Sequence, residues 1–320
     1  MMADIWVLSD SKTGSTVQAV ALAEKLSMTF EIKKLEYNLW ALLPNFILGS
    51  TEIHLKSTSS DLTSDIPPKI IISSGRRTAP VALSIKDRYP EVKVIQIMKP
   101  FLAPSKFDLI ILPQHDKFTD NGGKIMTIIG SLHNIKSKLR DAKGTIKSSN
   151  PHLQNFIAVL IGGDTKKYKF TEEEAQRLAK QINAISINHG INVFVSFSRR
   201  TSDKVKNIIR QEFQWPHVVY DPVSSSDPNP YYGMLSDADF IIATCDSVSM
   251  CSEASASGKP LYIFHSNDKN MHKHRYFAQQ LVDLGVAKFL TRDIETLETY
   301  EYDPFDEAEK VSDYIKEQIL

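Results

Sequence analysis

The apolar residues of this 320-residue chain fall into short continuous runs, and amphipathic stretches separate these runs. Runs such as Ile70–Ser73 and Phe156–Ile161 lack polar alternation, which is typical of parallel strands that are buried on both faces. Stretches such as Ser15–Ser27 carry their apolar residues on one helical face. The alternation of the two patterns predicts an α/β fold with right-handed crossovers.

Two sets of strands and helices follow from this pattern. The predicted strands are Ile5–Leu8, Phe30–Leu35, Ile70–Ser73, Val92–Met98, Leu109–Leu112, Met126–Ile129, Phe156–Ile161, Asn192–Ser196, His217–Tyr220, Phe240–Ala243 and Leu261–Phe264. The predicted helices are Ser15–Ser27, Ala79–Arg88, Glu172–Asn188, Asp203–Phe213, a short helix before Gly258, His272–Leu284 and Asp306–Ile319. Thr171 and Glu174 predict a capping box at one helix start.

Between Lys136 and Asn155 the pattern is interrupted by many Lys, Ser and Asn residues and by Pro151. We interpret this stretch as a helix end followed by an interdomain linker. The chain is therefore expected to form two doubly wound Rossmann-like domains, residues 1–145 and 155–305, that face a cleft. A C-terminal helix, 306–320, is expected to pack back on the N-terminal domain. In such sheets ligands bind at the carboxyl ends of the strands.

Composition narrows the class of protein. The chain is 42% hydrophobic and 24% charged, as is typical of a soluble globular protein. Lys plus Arg and Asp plus Glu number 38 each, so the net charge is zero, which argues against nucleic acid as a partner. The two cysteines form no disulfide framework or metal motif, and no signal peptide precedes the first strand. We expect a cytoplasmic protein without a transmembrane helix.

An apolar stretch, Leu39–Leu48, is interrupted by Pro44 and Asn45. It is too short to span a membrane. We expect a loop or short helix that packs on the N-terminal domain. The alternative is a patch, with Lys33 and Lys34 nearby, that contacts the inner face of a membrane peripherally.

The most informative segment runs from Thr244 to Pro260 and lies between two predicted strands. A strand that leads through Asp246, Ser247 and Ser249 into a helix places free N–H groups and the positive end of the helix dipole at one point, which suits an anion. Glu253, further along that helix, can accept hydrogen bonds from sugar hydroxyls. A phosphate site beside such a carboxylate suggests a nucleotide.

Three strand ends of the first domain carry candidate residues. The loop with Asp10 and Gly14 is neither a P-loop nor a dinucleotide fingerprint; Gly14 is expected to allow a tight turn. Arg76 or Arg77 could hold a carboxylate or a phosphate, with a surface ion pair as the alternative. The pair His115 and Asp116 is a candidate general base with an orienting carboxylate, and its alternative is a structural role.

The second domain carries further candidates at its strand ends. Gly162 and Gly163 let a diphosphate approach the backbone, and Arg199 and Arg200 supply positive charge. The loop before the Thr244 segment offers Asn229 and Tyr231, whose ring could stack on a base. The two histidines of the 272–275 stretch have no third metal ligand in sequence, so we expect a basic helix end or a substrate contact rather than zinc. The complete predicted nucleotide-sugar site is Gly162, Gly163, Ser198, Arg199, Arg200, Asn229, Tyr231, Asp246, Ser247, Ser249, Met250 and Glu253.

These motifs occur together in one family. They are Gly75-Arg76-Arg77-Thr78, Pro113-x-His115-Asp116, Gly162-Gly163, Ser198-Arg199-Arg200-Thr201, Asn229-Pro230-Tyr231 and the segment from Thr244 to Pro260. From about Ile5 to its C-terminal helix the chain resembles bacterial members of the mitochondrial-fission family named for elongated mitochondria (ELM). That family is in turn similar to GT-B glycosyltransferases and nucleotide-sugar 2-epimerases. The resemblance implies that Ser247 and Ser249 lie at the diphosphate and that Glu253 lies at the ribose.

We therefore expect a GT-B-type glycosyltransferase that binds a nucleotide-diphosphate sugar and transfers the sugar to an unknown acceptor, with no metal and no cofactor. The acceptor would lie near Gly14, Arg76 and Arg77, and Asp10, His115 or Asp116 would remove its proton. The glycine-rich opening of the peptidoglycan-type transferases is replaced here by residues 9–14, so no base can be carried over. The alternatives are a nucleotide-sugar epimerase or hydrolase, and a non-catalytic adaptor.

Overall fold

The computed structural model describes residues 3–10, 13–63, 66–116 and 124–320. They form two compact units, one comprising residues 1–134 and 306–320 and the other comprising residues 135–305. Each unit is built on one six-stranded sheet whose paired strands all run parallel. Among these residues, no helix is both long and apolar enough to cross a membrane.

The sheet of the first unit has the order β2-β1-β3-β4-β5-β6. Its strands are β1 (Ile5–Ser9), β2 (Phe30–Lys34), β3 (Ile70–Ser74), β4 (Lys93–Ile97), β5 (Leu109–Pro113) and β6 (Ile125–Ile128). The first helices of this unit are α1 (Thr13–Leu26), α2 (Asn45–Leu48) and α3 (Ala79–Arg88). The apolar runs fill both faces of the sheet, since every residue of β3 and of β5 is buried.

The sheet of the second unit has the order β12-β11-β10-β7-β8-β9. Its strands are β7 (Phe156–Ile161), β8 (Asn192–Phe197), β9 (His217–Tyr220), β10 (Phe240–Thr244), β11 (Leu261–Phe264) and β12 (Ala287–Phe289). Its helices are α4 (Lys136–Asp141), α5 (Thr145–Ser149), α6 (Glu172–His189), α7 (Asp203–Glu212), α8 (Tyr231–Asp237), α9 (Val248–Ser255) and α10 (His272–Asp283). The capping box of Thr171 and Glu174 at the start of α6 is confirmed.

The stretch interpreted as a linker is folded. It contains α4 and α5, and both pack on α8. The Asp237 carboxylate on α8 accepts hydrogen bonds from the N–H groups of Gly144, at 2.6 Å, and of Ile146, at 3.0 Å. Asp237 thus provides hydrogen-bond acceptors for the free N–H groups at the start of α5. The domain boundary that we expected at residue 145 therefore lies inside the second unit, which begins at residue 135.

The last helix, α11 (Glu307–Gln318), belongs to the first unit and packs on α1. Lys25 at the end of α1 donates to Asp306, at 2.8 Å, and to Glu309, at 2.6 Å. Three apolar residues of this helix are fully buried in the core of the first unit: Ala308, Val311 and Ile315.

In each sheet the direction of strand addition reverses beside a central strand. The reversal lies between β1 and β3 in the first unit and between β7 and β10 in the second. Loops leave such a point in opposite directions and open a crevice at the carboxyl ends of the strands, where ligands bind in doubly wound sheets. The predicted class, α/β with two Rossmann-like units, is confirmed.

Candidate functional site

A cavity of about 210 Å³ lies at the carboxyl ends of β7 and β8 in the second unit. Its lining residues are Leu160, Ile161, Ser196, Phe197, Ser198, Arg199, Tyr220, Pro222, Asn229, Tyr231 and Met250. Five of them, Ser198, Arg199, Asn229, Tyr231 and Met250, belong to the predicted nucleotide-sugar site. The cavity combines aromatic and aliphatic walls with a cation and hydroxyl groups, as small-molecule sites do.

Helix α9 begins beside this cavity. Ser247 is its N-cap residue, but the Ser247 side chain makes no capping hydrogen bond. Ser249 in the first turn is exposed, and Met250 lines the cavity. The first-turn N–H groups therefore have no side-chain cap, and the positive end of the helix dipole lies at the rim of the cavity. This is the geometry in which helix starts bind anions.

Gly162 and Gly163 make room for protein atoms rather than for a ligand. A Cβ atom built on Gly162 would lie 2.1 Å from Oδ2 of Asp246, and one built on Gly163 would lie 2.2 Å from the carbonyl oxygen of Arg200. Asp246 accepts a hydrogen bond of 2.8 Å from the Gly163 N–H and one of 2.7 Å from the Thr244 hydroxyl. The close approach that we predicted for a diphosphate is thus occupied by the buried Asp246 carboxylate.

The two adjacent arginines of the second unit have different environments. The Arg200 guanidinium donates to the carbonyl oxygens of Gly163 and Asp164 and to Asp246 Oδ2, at 3.1, 3.0 and 3.1 Å. Arg199 is exposed, lines the cavity, and makes no hydrogen bond or ion pair with the residues that the structure describes. Arg200 therefore holds the strand ends together, whereas Arg199 is exposed at the cavity.

Both arginines of the first-unit pair have partners within the protein. Arg77 forms an ion pair of 2.9 Å with Asp10, at the sheet reversal between β1 and β3. Arg76 instead donates to the backbone carbonyls of Ala41 and Leu43. The structure therefore brings Asp10 and Arg77 together as predicted neighbours, whereas Arg76 anchors a separate segment.

Two side chains that the sequence did not single out adjoin the Asp10–Arg77 pair. The Arg77 guanidinium lies 4.5 Å from the centre of the Tyr37 ring, and Tyr37 stacks on His54 with ring centroids 5.5 Å apart. Burial raises the pKa of the Tyr37 hydroxyl, and the Asp10 charge acts in the same direction. Burial lowers the pKa of His54, against a hydrogen bond of 3.0 Å to the Arg77 carbonyl.

The other residues predicted in the first unit lie apart from this pair or have another role. His115 and Asp116 occupy the turn after β5, where the Asp116 N–H donates to the Pro113 carbonyl at 2.8 Å. Two strands separate β5 from β1, which puts these strand ends on the order of 14 Å apart. Gly14 lies in the first turn of α1 with open space where a Cβ would be, so the predicted tight turn at Gly14 is wrong.

Glu253, the predicted ribose ligand, is absent from the described residues that line the cavity. It is half-buried on α9, beside the buried hydroxyl of Tyr231. Burial raises the pKa of Glu253, while the Tyr231 hydroxyl and the Lys138 charge oppose the rise. Burial raises the pKa of Tyr231 as well, and Glu253 adds to that shift. Tyr231 thus lines the cavity and has its buried hydroxyl beside Glu253.

His274 on α10 faces the Asp246 cluster. Its Nδ1 atom is buried and makes no hydrogen bond among the described residues. Burial lowers the pKa of His274, whereas the nearby Asp246 charge raises it and the Arg200 charge lowers it further. Burial also raises the pKa of Asp246 itself, against hydrogen bonds from Thr244, Gly163 and Arg200. The sequence placed His274 at a basic helix end or a substrate contact and did not predict its position beside Asp246.

The family model for mitochondrial fission ELM1 matches residues 13–319, almost the whole chain. The chain belongs to this family. It is 40% identical to the uncharacterized protein RP120 of Rickettsia prowazekii (strain Madrid E) over 345 aligned positions, which cover 98% of each protein. It is 27% identical to the mitochondrial fission protein ELM1 of Arabidopsis thaliana over 276 positions, which cover 79% of this chain and 64% of the plant protein.

Solved structures share the fold of this ELM1-family protein. UDP-GlcNAc 2-epimerase from Methanocaldococcus jannaschii superposes with a TM-score of 0.59 at 10% identity, over 98% of this chain and 99% of that one. The same enzyme in complex with UDP-GlcNAc and UDP gives 0.56 at 11% identity, with the same coverage. An epimerase from Listeria monocytogenes gives 0.51 at 12% identity, over 99% of this chain and 89% of that one. The predicted GT-B-like fold is confirmed.

Metal-ligating side chains do not cluster in the described parts of this family member. Within residues 3–10, 13–63, 66–116 and 124–320, no three His, Cys, Asp or Glu side chains lie close enough to hold a metal ion. Tyr37 and His54, which the sequence did not single out, lie in irregular segments. Their placement depends on tertiary packing, for which a single sequence carries no periodic signal.

Proposed function

We propose that this ELM1-family protein binds a nucleotide-diphosphate sugar in its second unit and transfers the sugar to an acceptor. The observation that carries the proposal is the cavity at the ends of β7 and β8, where the uncapped start of α9 adjoins Arg199. An uncompensated guanidinium and a free helix start both favour an anion. A diphosphate satisfies both, and the Tyr231 ring at the same cavity suits a stacked base.

The structural likeness supports the same ligand class. The solved 2-epimerase of M. jannaschii is described in complex with UDP-GlcNAc and UDP. At 11% identity this likeness concerns the fold, so the ligand of the present chain is proposed from its own cavity. In our proposal the diphosphate lies against Ser247, Ser249 and Arg199, and Glu253 reaches the ribose with Tyr231.

In the proposed transfer, the acceptor hydroxyl oxygen forms a bond to the anomeric carbon as the bond from that carbon to the diphosphate breaks. The leaving diphosphate keeps the electron pair, and Arg199 with the α9 N–H groups stabilises its charge without a metal or cofactor. The acceptor proton passes to a base on the first unit. Arg77 already holds Asp10, so we favour His115, because histidine is the side chain that most often serves as a general base, with Asp116 as its partner.

A second candidate is a nucleotide-sugar epimerase or hydrolase. The specific observation in its favour is that UDP-GlcNAc 2-epimerase from M. jannaschii shares the fold over almost the whole chain. All three reactions require the same nucleotide site, and they differ in what becomes of the sugar. A non-catalytic adaptor of the ELM family would require no such site. Our proposed location for the protein is the cytoplasm, with peripheral contact to a membrane.

The test is a thermal-shift titration of the full chain with UDP, GDP and ADP and with their sugars. A ligand at a hundred times its dissociation constant stabilises a protein by about 2.7 kcal/mol. We expect a response to at least one nucleoside diphosphate that is lost in Arg199→Ala and reduced in Tyr231→Ala. Lys204→Ala removes one positive charge from an exposed position on α7 and serves as the control.

The products then separate the candidate reactions. Release of the nucleotide only when an acceptor extract is added supports transfer. Formation of an epimer of the sugar supports the second candidate, and release of free sugar supports hydrolysis. If no nucleotide or nucleotide sugar shifts the unfolding temperature of the wild-type chain, the proposal is wrong and the adaptor remains.

A further inference from the structure

Six large apolar side chains of the first unit are exposed within the short stretch from residue 39 to residue 53. They are Leu39, Trp40, Leu42, Phe46, Ile47 and Ile53, and we call them the apolar surface. The first residue is 84% exposed, Leu42 is 80% exposed and Phe46 is 79% exposed. Single exposed apolar residues are normal on a monomer, whereas a contiguous cluster of this size marks an interaction site.

The segment that carries the apolar surface is folded, with a defined inner side. Ala41, in a short 3-10 helix from Leu39 to Leu42, and Asn45 and Leu48, in α2, are buried. Asn38 caps the start of the segment, since its side-chain oxygen accepts from the Trp40 N–H at 2.9 Å. The structure thus confirms short helices here, but the expectation that the apolar residues pack on the domain is wrong for the outer side.

Polar groups of the backbone are satisfied from inside the protein. Arg76 donates to the carbonyls of Ala41 and Leu43, and the Asn45 amide donates to the carbonyls of Arg76 and Pro100. These bonds fix the segment from below and leave its outer side to hydrocarbon side chains. A segment whose backbone bonds are already made loses little when its surface leaves water.

The apolar surface carries no charged side chain that a binding partner would have to neutralise. No charged residue occurs from Leu39 to Thr51. Glu52, the next residue, is paired with Arg88 at 2.7 Å. The exposed charges that flank the segment are Lys34, Glu36 and Lys56. Their net charge is one positive unit, which is compatible with phosphate headgroups but too small for electrostatic attraction to dominate binding.

We propose that the apolar surface inserts into the interfacial region of a lipid bilayer. Side chains that are about four-fifths exposed stand out from the protein instead of lining a groove. Hydrocarbon is a partner that needs neither a complementary groove nor complementary charges to cover them. Trp40, with its amphipathic ring, suits the level of the headgroups. This inference is independent of the proposed nucleotide sugar, because every residue in it belongs to the first unit.

The experiment is sedimentation of the full chain with phosphatidylcholine vesicles, at low and at high salt. We expect binding that salt changes little, because apolar insertion is not screened. Trp40 should report the contact directly, through a blue shift of its emission and through quenching by brominated lipid chains. Trp40→Phe should still bind and should lose both optical signals.

The decisive variant is Leu39→Ser/Leu42→Ser/Phe46→Ser, for which we expect at least a roughly tenfold loss of vesicle binding. Ile187→Ser/Val223→Ser/Leu284→Ser removes three exposed apolar side chains of the second unit and is the matched control, with unchanged binding expected. The six side chains replaced in these two triple variants are all exposed, so both variants should unfold at the wild-type midpoint.

Three outcomes would overturn the proposal. The first is no binding of the wild-type chain to zwitterionic or anionic vesicles. The second is equal binding by the two triple variants, or binding that high salt abolishes, since either result places the contact elsewhere. The third is a dimer that forms without lipid and that is lost only in the Leu39→Ser/Leu42→Ser/Phe46→Ser variant. That result would identify a second copy of the chain as the partner of the apolar surface.

Discussion

The Asp246 carboxylate occupies the space that a side chain on Gly162 would need, with 2.1 Å between Oδ2 and a built Cβ. The contact joins the ends of β7 and β10, the two strands between which the sheet reverses. The same carboxylate is bound by the Gly163 N–H, by Thr244 and by Arg200. The rim of the candidate site is therefore held by a buried polar network that leaves Arg199 to the cavity.

Gly162→Ala should destabilise the protein, because the new methyl group displaces a carboxylate that three donors hold in place. Overpacking of this kind costs about 1–3 kcal/mol. The measurement is the free energy of unfolding in urea. Gly14→Ala is the control, since no atom of the described residues lies within 4 Å of a Cβ there. It should be neutral or slightly stabilising, and an equal loss in both variants would contradict the prediction.

Replacing Arg200 should lower the free energy of unfolding, whereas replacing its neighbour Arg199 should leave it nearly unchanged. Arg200→Ala removes two bonds to carbonyls and one to the buried Asp246, and it should lower the free energy of unfolding by about 2 kcal/mol. Arg199→Ala should change it by less than about 0.5 kcal/mol, because the side chain is exposed and makes no bond within the described residues. Urea unfolding of both variants gives the comparison. A destabilised Arg199→Ala would show that this guanidinium has a structural role.

Stability should fall on acidification through His54. Burial lowers the pKa of His54 below its usual 6.5, so the neutral ring is favoured in the folded state. Its contribution is complete above pH 6.5 and is lost as the pH falls toward the lowered value. Urea unfolding at pH 7.5 and at pH 5.5 measures the loss, which His54→Gln should reduce. His272→Gln, at an exposed histidine, should retain the wild-type difference.

Ile315→Ala should destabilise the first unit. Ile315 on α11 is fully buried in the same core cluster as Leu22 and Leu26 of α1. Removing such a side chain leaves a cavity and costs about 2–5 kcal/mol. Thermal or urea unfolding measures the effect, with Glu317→Ala on the exposed face as control. An unchanged midpoint would mean that α11 does not support the core.

The strands were predictable because a strand buried on both faces must be apolar at every position. β3 and β7 show this directly: each is an unbroken apolar run apart from the serines that end β3. The longer helices were predictable from their spacing and caps, as at Thr171. Short elements were missed where this signal is absent: β12 has three residues, and α8 follows a proline-rich loop.

The candidate site was predictable only as a set of strand ends. The structure brings Ser198, Arg199, Asn229, Tyr231 and Met250 of the predicted set to one cavity, at the edge where the ends of neighbouring parallel strands meet. The bonding partners of the individual arginines in each pair were not predictable. It depends on which guanidinium reaches a buried acceptor, and such reach is a property of tertiary packing. The reason for a glycine at position 162 was not predictable either, because a bound ligand and the Asp246 carboxylate would both require the absence of a side chain there.

The return of α11 to the first unit determines the order in which the protein can fold during its synthesis. The first unit is made of two separate stretches, 1–134 and 306–320, whereas the second is one uninterrupted stretch. Domains generally fold as units while the chain emerges. We therefore expect the second unit to reach its native state first. Until the ribosome delivers Val311 and Ile315, the side of the first unit's core that they cover stays open to water.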